Sequence, residues 1–272
     1  MRLKTSLGSL AYDDTGSGPL VLCLPGIGDN RDSYRHLTPL LTGAGHRVVT
    51  LDPRGQGESD AVWPDYSPDA TADDVIALLR HLDAGPALIV ANSYTAASAV
   101  RVAAIAPGMV SALVLTGPFV RVMPRPNVML RLAVAAVGRF RPMWMAYWAY
   151  SFRTRRPEDF AAARRRLSAQ MAEPGRMAAL RAQFAADVSG CEALLDSVRV
   201  PTLVVMGTKD ADFPDPAAEA RLVADRVRGT VTMIEGAGHY PHAEFPAETA
   251  AAVRSLSTAP GADGGGVTKL AG

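Results

Sequence analysis

The sequence predicts an α/β protein: a mostly parallel, twisted sheet with helices on both faces and one helical insertion. Three observations carry this reading. Short apolar runs alternate with amphipathic ones along most of the chain. The runs are hydrophobic at nearly every residue rather than every second one, as in strands buried on both faces of a parallel sheet. The alternation then stops between residues 121 and 195.

The leading segment RLKTSLGSLAYDDTG (2–16) reads as an antiparallel hairpin at the sheet edge. Strands are expected at PLVLCLPG (19–26), HRVVTLD (46–52), PALIVAN (86–92), VSALVLTG (110–117), PTLVVMG (201–207) and GTVTMIEG (229–236), each bounded by Gly, Pro or Asp. Between them, DATADDVIALLRHLD (69–83) places Val75, Leu78, Leu79 and Leu82 on one helical face, with acidic residues in its first turn. Residues 95–106, 216–228 and 246–256 repeat this amphipathic pattern. Strand–helix alternation implies right-handed crossovers and a parallel sheet. Residues 121–195 contain no strand pattern, only helical sequence bearing Met and Trp, and the sheet pattern resumes at Val200. The expected organisation is therefore a core of residues 1–120 and 196–257 and a helical cap of 121–195. The Gly-rich stretch 258–272 is expected to be disordered.

With 272 residues and 48% hydrophobic content the chain can bury a large core, and a net charge of +1 gives no bulk attraction for nucleic acid or an anionic membrane. Cys23 sits in an apolar run and Cys191 stands alone, so neither a disulfide framework nor a zinc site is expected. The N-terminus lacks an apolar signal region and no apolar stretch approaches the ~20 residues of a membrane span, which predicts a cytoplasmic protein. No nucleotide loop, metal cluster or cofactor motif is visible, so no cofactor is expected.

The chemistry starts at IVANSYTAAS (89–98), where a strand breaks on a polar triplet and resumes as a helix. A serine at such an apex has the placing of a nucleophile, exposed at the carboxyl end of the sheet beside a helix N-terminus. The flanking Ala91 and Thr95 depart from the glycines of the G-x-S-x-G pattern. A serine hydroxyl needs a base, and the base an orienting carboxylate. EGAGHYPHAEFP puts His239 after the last strand, and VVMGTKDADFPDP puts Asp210 after the one before it. Ser93, Asp210 and His239 thus follow one another at the ends of different strands.

In these residues the chain resembles the α/β-hydrolase fold superfamily, over roughly residues 5–256, with the 121–195 insertion in the family's cap position. LPGIGDN resembles the oxyanion loop, with Pro25 in place of the usual His; LDPRGQGESD (51–60) resembles the D-x-R-G-x-G-x-S signature. Gly236, Gly238, His239, Glu244 and Pro246 resemble the segment around the catalytic histidine. The resemblance favours His239 over His242 as base and Asp210 over Asp212 as acid. It implies oxyanion donors at the amides of Ile27 and Tyr94, and a structural role for Asp52.

Serine at this position points to acyl chemistry on an ester, thioester or lactone. Trp144, Tyr147 and Trp148 are expected to line an apolar pocket, and Gly26 to let the backbone approach a small, apolar acyl substrate closely. A same-fold lyase, cyclase or isomerase is the alternative, motivated by crowding at Ala91 and Thr95; a non-catalytic binding protein is a third. The arginines of RFRP, RTRRPEDF and ARRRL are read as a solvated face in preference to a dock for an acidic carrier protein.

Overall fold

The computed structural model describes residues 1–123 and 128–257; the predicted disordered tail lies outside the described residues. Eight strands form one sheet: β1 (Arg2–Lys4), β2 (Ser9–Thr15), β3 (Leu20–Leu24), β4 (Arg47–Asp52), β5 (Ala87–Asn92), β6 (Val110–Thr116), β7 (Thr202–Gly207) and β8 (Thr230–Ile234). Their order is β1-β2-β4-β3-β5-β6-β7-β8. The first two strands pair antiparallel and all others parallel, as the sequence pattern predicts. Helices α1 (Thr38–Gly43), α2 (Pro68–Leu82) and α3 (Thr95–Ile105) alternate with strands. Then α4 (Val128–Arg139), α5 (Arg141–Tyr150), α6 (Phe160–Gln170), α7 (Arg176–Ala185) and α8 (Ser189–Glu192) form the insertion between β6 and β7. The described residues end with α9 (Pro216–Val227), α10 (Pro241–Glu244) and α11 (Pro246–Ser257).

Successive side chains of a strand point to opposite faces, and here both faces are apolar. Leu22 and Leu24 join one core with residues of α2, α3 and α9; Val21 and Cys23 join another with α1 and α11. A third, smaller core lies in the insertion, where Trp144, Met145, Trp148, Phe152 and Leu167 pack with Tyr240.

The register sets the site. Leu24 pairs with Ala91, Ala91 with Leu115, Asn92 with Thr116, and Thr116 with Val205. The carboxyl ends of β3, β5, β6 and β7 are therefore level, and the loops that follow them meet.

Two acidic residues explain the DPRGQG turn. Asp52 accepts from the amides of Arg31 (2.7 Å) and Glu58 (2.8 Å) and pairs with the Arg31 guanidinium. The buried Arg54 donates to Asp74 Oδ2 (2.7 Å) and to the carbonyls of Asp65 (2.9 Å) and Ala70 (2.7 Å), tying the turn to the start of α2. Removing one partner of a buried pair leaves an uncompensated charge. Arg54→Met should lower unfolding free energy by about 3–5 kcal/mol in chemical denaturation. Arg2→Ala, which breaks an exposed pair with Asp60, should cost at most about 1 kcal/mol.

Candidate active site

Ser93 follows the last residue of β5 and has φ +58. Three non-glycine residues have positive φ among the described residues; the other two, Asp83 and Arg228, terminate helices. The left-handed turn at Ser93 is thus a strained conformation of a kind that costs on the order of 1–3 kcal/mol and must be held by its surroundings. It is held densely. The Ser93 amide donates to Thr116 O (2.9 Å), and its carbonyl accepts from Ala96 (3.1 Å) and Phe119 (3.2 Å).

The two unusual flanking residues fit without conflict. Ala91 is fully buried within the sheet. Thr95 Oγ1 donates within reach of Leu24 O (3.0 Å) and Asn92 O (2.9 Å), bridging β3 and β5 at the point where α3 begins. A β-branched residue sits here because its hydroxyl has carbonyls to bond.

The imidazole of His239 donates from Nδ1 to Asp210 Oδ2 at 2.8 Å, and both side chains are buried. Asp212 stands close by: its Oδ2 is 3.4 Å from the same nitrogen, and its amide donates to Asp210 Oδ1 at 3.0 Å. Tyr147 reaches down from α5 and donates to Asp212 Oδ1 at 2.6 Å. Burial pushes the His239 pKa down, but the facing Asp210 and Asp212 charges outweigh it and hold the imidazole up at about 9. Burial pushes the Asp212 carboxyl above the ordinary range. Burial, reinforced by Asp212, also raises the Tyr147 phenol, which stays a neutral donor.

Asn92 ties these parts together. Its side-chain amide donates to Thr116 O and to His239 O, each at 3.0 Å, so the residue before the serine also anchors the histidine loop. Glu244 braces that loop from the other side, accepting from the amides of Gly238 (2.7 Å) and Arg153 (2.9 Å). Gly117 has φ +51, and a Cβ there would lie 3.0 Å from His239 Nδ1 and 3.1 Å from Asp210 Oδ2.

The loop after β3 is fixed by four contacts, three of them to its carbonyls and one to the Asp29 carboxylate. Gln56 donates to Gly26 O (3.1 Å) and Trp144 Nε1 to Gly28 O (3.2 Å); the Asp29 amide also points to Gly26 O (3.4 Å), and Trp148 Nε1 donates to Asp29 Oδ2 (3.0 Å). Burial lifts the Asp29 pKa to about 6 against the pull of the Trp148 and Asn30 donors. The amides of Ile27 and Tyr94 donate to no carbonyl among the described residues. Pro25 removes only its own N–H and leaves that of Ile27 in place.

These groups meet at a cavity of about 210 Å³. Ser93, His239, Ile27 and Tyr94 line it, with Trp144 and Tyr147 of α5 on the insertion side. Two expected substrate contacts fall elsewhere. Trp148 does not line the cavity; it packs on Phe160 (5.2 Å between ring centroids) and bonds Asp29. Gly26 lies behind the serine, where a Cβ would be 2.9 Å from Asn92 Oδ1 and 3.1 Å from Ser93 Cβ. The rival base His242 is buried against Tyr34 at 4.4 Å, and burial lowers its pKa to about 3. Sequence reasoning passed over Asn92, Gln56 and Gly117, whose spacing carries no signal of its own.

Asp210, Asp212 and His239 each offer a metal-ligating atom, all within 4.8 Å of one another. A cation bound through Nδ1 there would displace the hydrogen bond that orients the imidazole.

Residues 21–252 match the model of the alpha/beta hydrolase family, and the chain belongs to that family. The chain is 32% identical over 234 residues to the polyketide synthase ThaQ of Burkholderia thailandensis, a match covering 82% of this chain and 11% of that one. It is 35% identical over 108 residues to the 2-(acetamidomethylene)succinate hydrolase of Mesorhizobium japonicum, covering 39% of this chain and 38% of the relative. The matches thus span well under half the length of these relatives. Among solved structures, a thermophilic esterase from Thermogutta terrifontis superposes with TM-score 0.77 at 24% identity, covering 94% of this chain and 97% of the esterase. A bromoperoxidase from Bacillus anthracis gives TM-score 0.81 at 20% identity over 93% and 96%. These likenesses establish the α/β-hydrolase fold.

Asp212→Asn should lower the imidazole pKa of His239, because one of the carboxylate charges that raise it is removed. The neutral imidazole would then persist to lower pH, which an NMR titration of the ring reads directly. Gly117→Ala should push the His239–Asp210 pair apart. We expect turnover to fall by up to about 10²-fold while the melting temperature shows the fold intact.

Proposed function

We propose that this chain is a cofactor-free serine hydrolase that cleaves an ester, thioester or lactone bond of a small, apolar acyl substrate. One observation carries the reading: a serine in a left-handed turn shares a cavity with a histidine whose far nitrogen is held by a buried carboxylate. Ser93 Oγ attacks the carbonyl carbon while His239 Nε2 takes its proton. Asp210 fixes the ring and stabilises the imidazolium as it forms. The negative charge on the carbonyl oxygen falls between the amides of Ile27 and Tyr94, which have no other backbone acceptor among the described residues. His239 then protonates the departing oxygen or sulfur, and afterwards deprotonates the water that releases the acyl group.

The elevated imidazole pKa suits this sequence unevenly. It makes His239 a strong base once neutral, and it sets the acid limb of activity high in pH. Trp144, Phe119 and Met123 give the cavity an apolar lining. Its size, below the roughly 300–1,000 Å³ of pockets for drug-sized ligands, favours a short acyl group. The hydrolase among the relatives supports the reaction class. Lyase, cyclase or isomerase chemistry rests on crowding at the serine, whereas Thr95 is accommodated there with its hydroxyl bonded to Leu24 O and Asn92 O.

A fluorophosphonate probe should label the wild-type protein once, on Ser93, and leave Ser93→Ala unlabelled. With p-nitrophenyl esters of increasing length, Ser93→Ala should lose at least about 10³-fold in kcat/KM, and short chains should be preferred. Wild-type turnover by Ser93→Ala would sink the assignment.

A further inference from the structure

Charge is strongly segregated along this nearly neutral chain. Residues 121–195 carry thirteen arginines against five acidic residues; the rest carries fifteen basic residues against twenty-two acidic ones. The insertion is therefore net positive and the remainder net negative. Two grooves on it concentrate the excess. One, of about 720 Å³ between α4 and α7, is lined by Arg131, Arg139 and Arg181. The other, of about 580 Å³ between α5 and α6, is lined by Arg141, Arg156, Arg164 and Arg165. Neither groove contains a carboxylate among its lining residues. The grooves are neighbours, since Phe140 lines the first and Arg141 the second.

Between these arginines stands a helix, α4, packed on α5 and α7 through its C-terminal half and bare over its N-terminal half. In α4, Val128, Met129 and Leu132 are 69%, 81% and 67% exposed, and Phe140 and Met143 beyond it are also exposed. Residues 128, 129 and 131–135 are exposed on every side of the helix rather than along one stripe. Apart from Arg131 and Arg139 the helix carries no charged or polar side chain, and so apolar a helical surface is normally buried or in a membrane. Something must therefore cover α4 in use.

We infer that α4 and the arginines beside it seat the insertion on an anionic lipid surface. The charge pattern excludes a symmetric copy of the chain as the better occupant, because a twofold contact would oppose arginine to arginine. A single partner helix would cover one stripe of α4 and leave the others wet. A lipid interface takes the exposed aliphatic side chains of α4 into its acyl boundary and offers phosphates to the arginines. No helix among the described residues is long and apolar enough to cross a membrane, and α4, with 12 residues, is too short to span one, so its contact is peripheral. It is also reversible by salt, being partly electrostatic. The cavity at Ser93 borders this face: Phe184 lines both the cavity and the α4–α7 groove. An acyl substrate held in the lipid would enter from there.

Vesicle flotation tests this. The wild-type protein should float with phosphatidylcholine vesicles containing phosphatidylglycerol, stay behind with phosphatidylcholine alone, and be released by high salt. Arg131→Glu and Arg139→Glu should each weaken partitioning by about fivefold or more. Leu132→Glu, with Met129→Asp as a second variant at an exposed site, should abolish it at unchanged melting temperature. Ser93→Ala should float like the wild type, so the result stands apart from the acyl-enzyme reading. No flotation on either vesicle, equal flotation on both, or flotation that survives the variants would each overturn the inference. So would a dimer that Leu132→Glu dissociates, or an elution shift with polyglutamate in the absence of flotation, either of which gives the face to a protein partner.

Discussion

The left-handed turn at Ser93 is the constraint around which the rest of this molecule is arranged. A non-glycine residue at φ +58 stays there only if neighbouring bonds outweigh its strain, and those bonds come from four strands' ends at once. Thr116 O accepts both the Ser93 amide and the Asn92 side chain. Thr95 reaches Leu24 O on β3, and Asn92 reaches His239 O beyond β8. None of these bonds could form unless β3, β5 and β6 ended level, as their register dictates. The sheet therefore acts as a jig. It fixes the serine, and through Asn92 it fixes the histidine relative to the serine.

The electrostatics follow from that packing. Bringing the loops after β7 and β8 together buries Asp210 and His239 and half-buries Asp212 beside them. One carboxylate would suffice to orient an imidazole, yet two face it. The second is not idle in the fold: Asp212 receives Tyr147 from the insertion, so the charge that raises the His239 pKa is also the acceptor that docks α5. Asp29 plays a similar part on the opposite side, a buried carboxyl that takes Trp148 and lies beside the loop of Ile27.

Much of this was legible in the sequence. Every predicted strand is present within a residue or two of its expected ends, because continuous apolar runs bounded by Gly, Pro or Asp have few other uses. Ser93, Asp210 and His239 could be named because chain order and loop position constrain them together. Trp148 was misplaced for a physical reason. Periodicity says which residues share a helical face and cannot say what that face meets, so an indole bonding Asp29 looked the same as one lining a pocket. Thr95 was misjudged likewise: a missing glycine signals crowding, while the carbonyls of Leu24 and Asn92 that accept its hydroxyl lie far apart in sequence from any motif. The bare surface of α4 was invisible for a third reason, since an apolar helical sequence normally implies burial.

Helix α5 joins these threads. Trp144, Tyr147, Trp148 and Ser151 follow at i, i+3, i+4 and i+7, the spacing of a single helical face. Along that face Trp144 holds Gly28 O, Tyr147 holds Asp212, Trp148 holds Asp29, and the carbonyl of Ser151 accepts the His239 amide. One helix thus touches the loop of Ile27, the paired carboxylates and the histidine loop. The same helix packs against α4, whose outer surface is bare. Any displacement of α5 by α4 would work against these hydrogen bonds. Helix α5 thus stands between the bare surface of α4 and four contacts that hold the loops around Ser93.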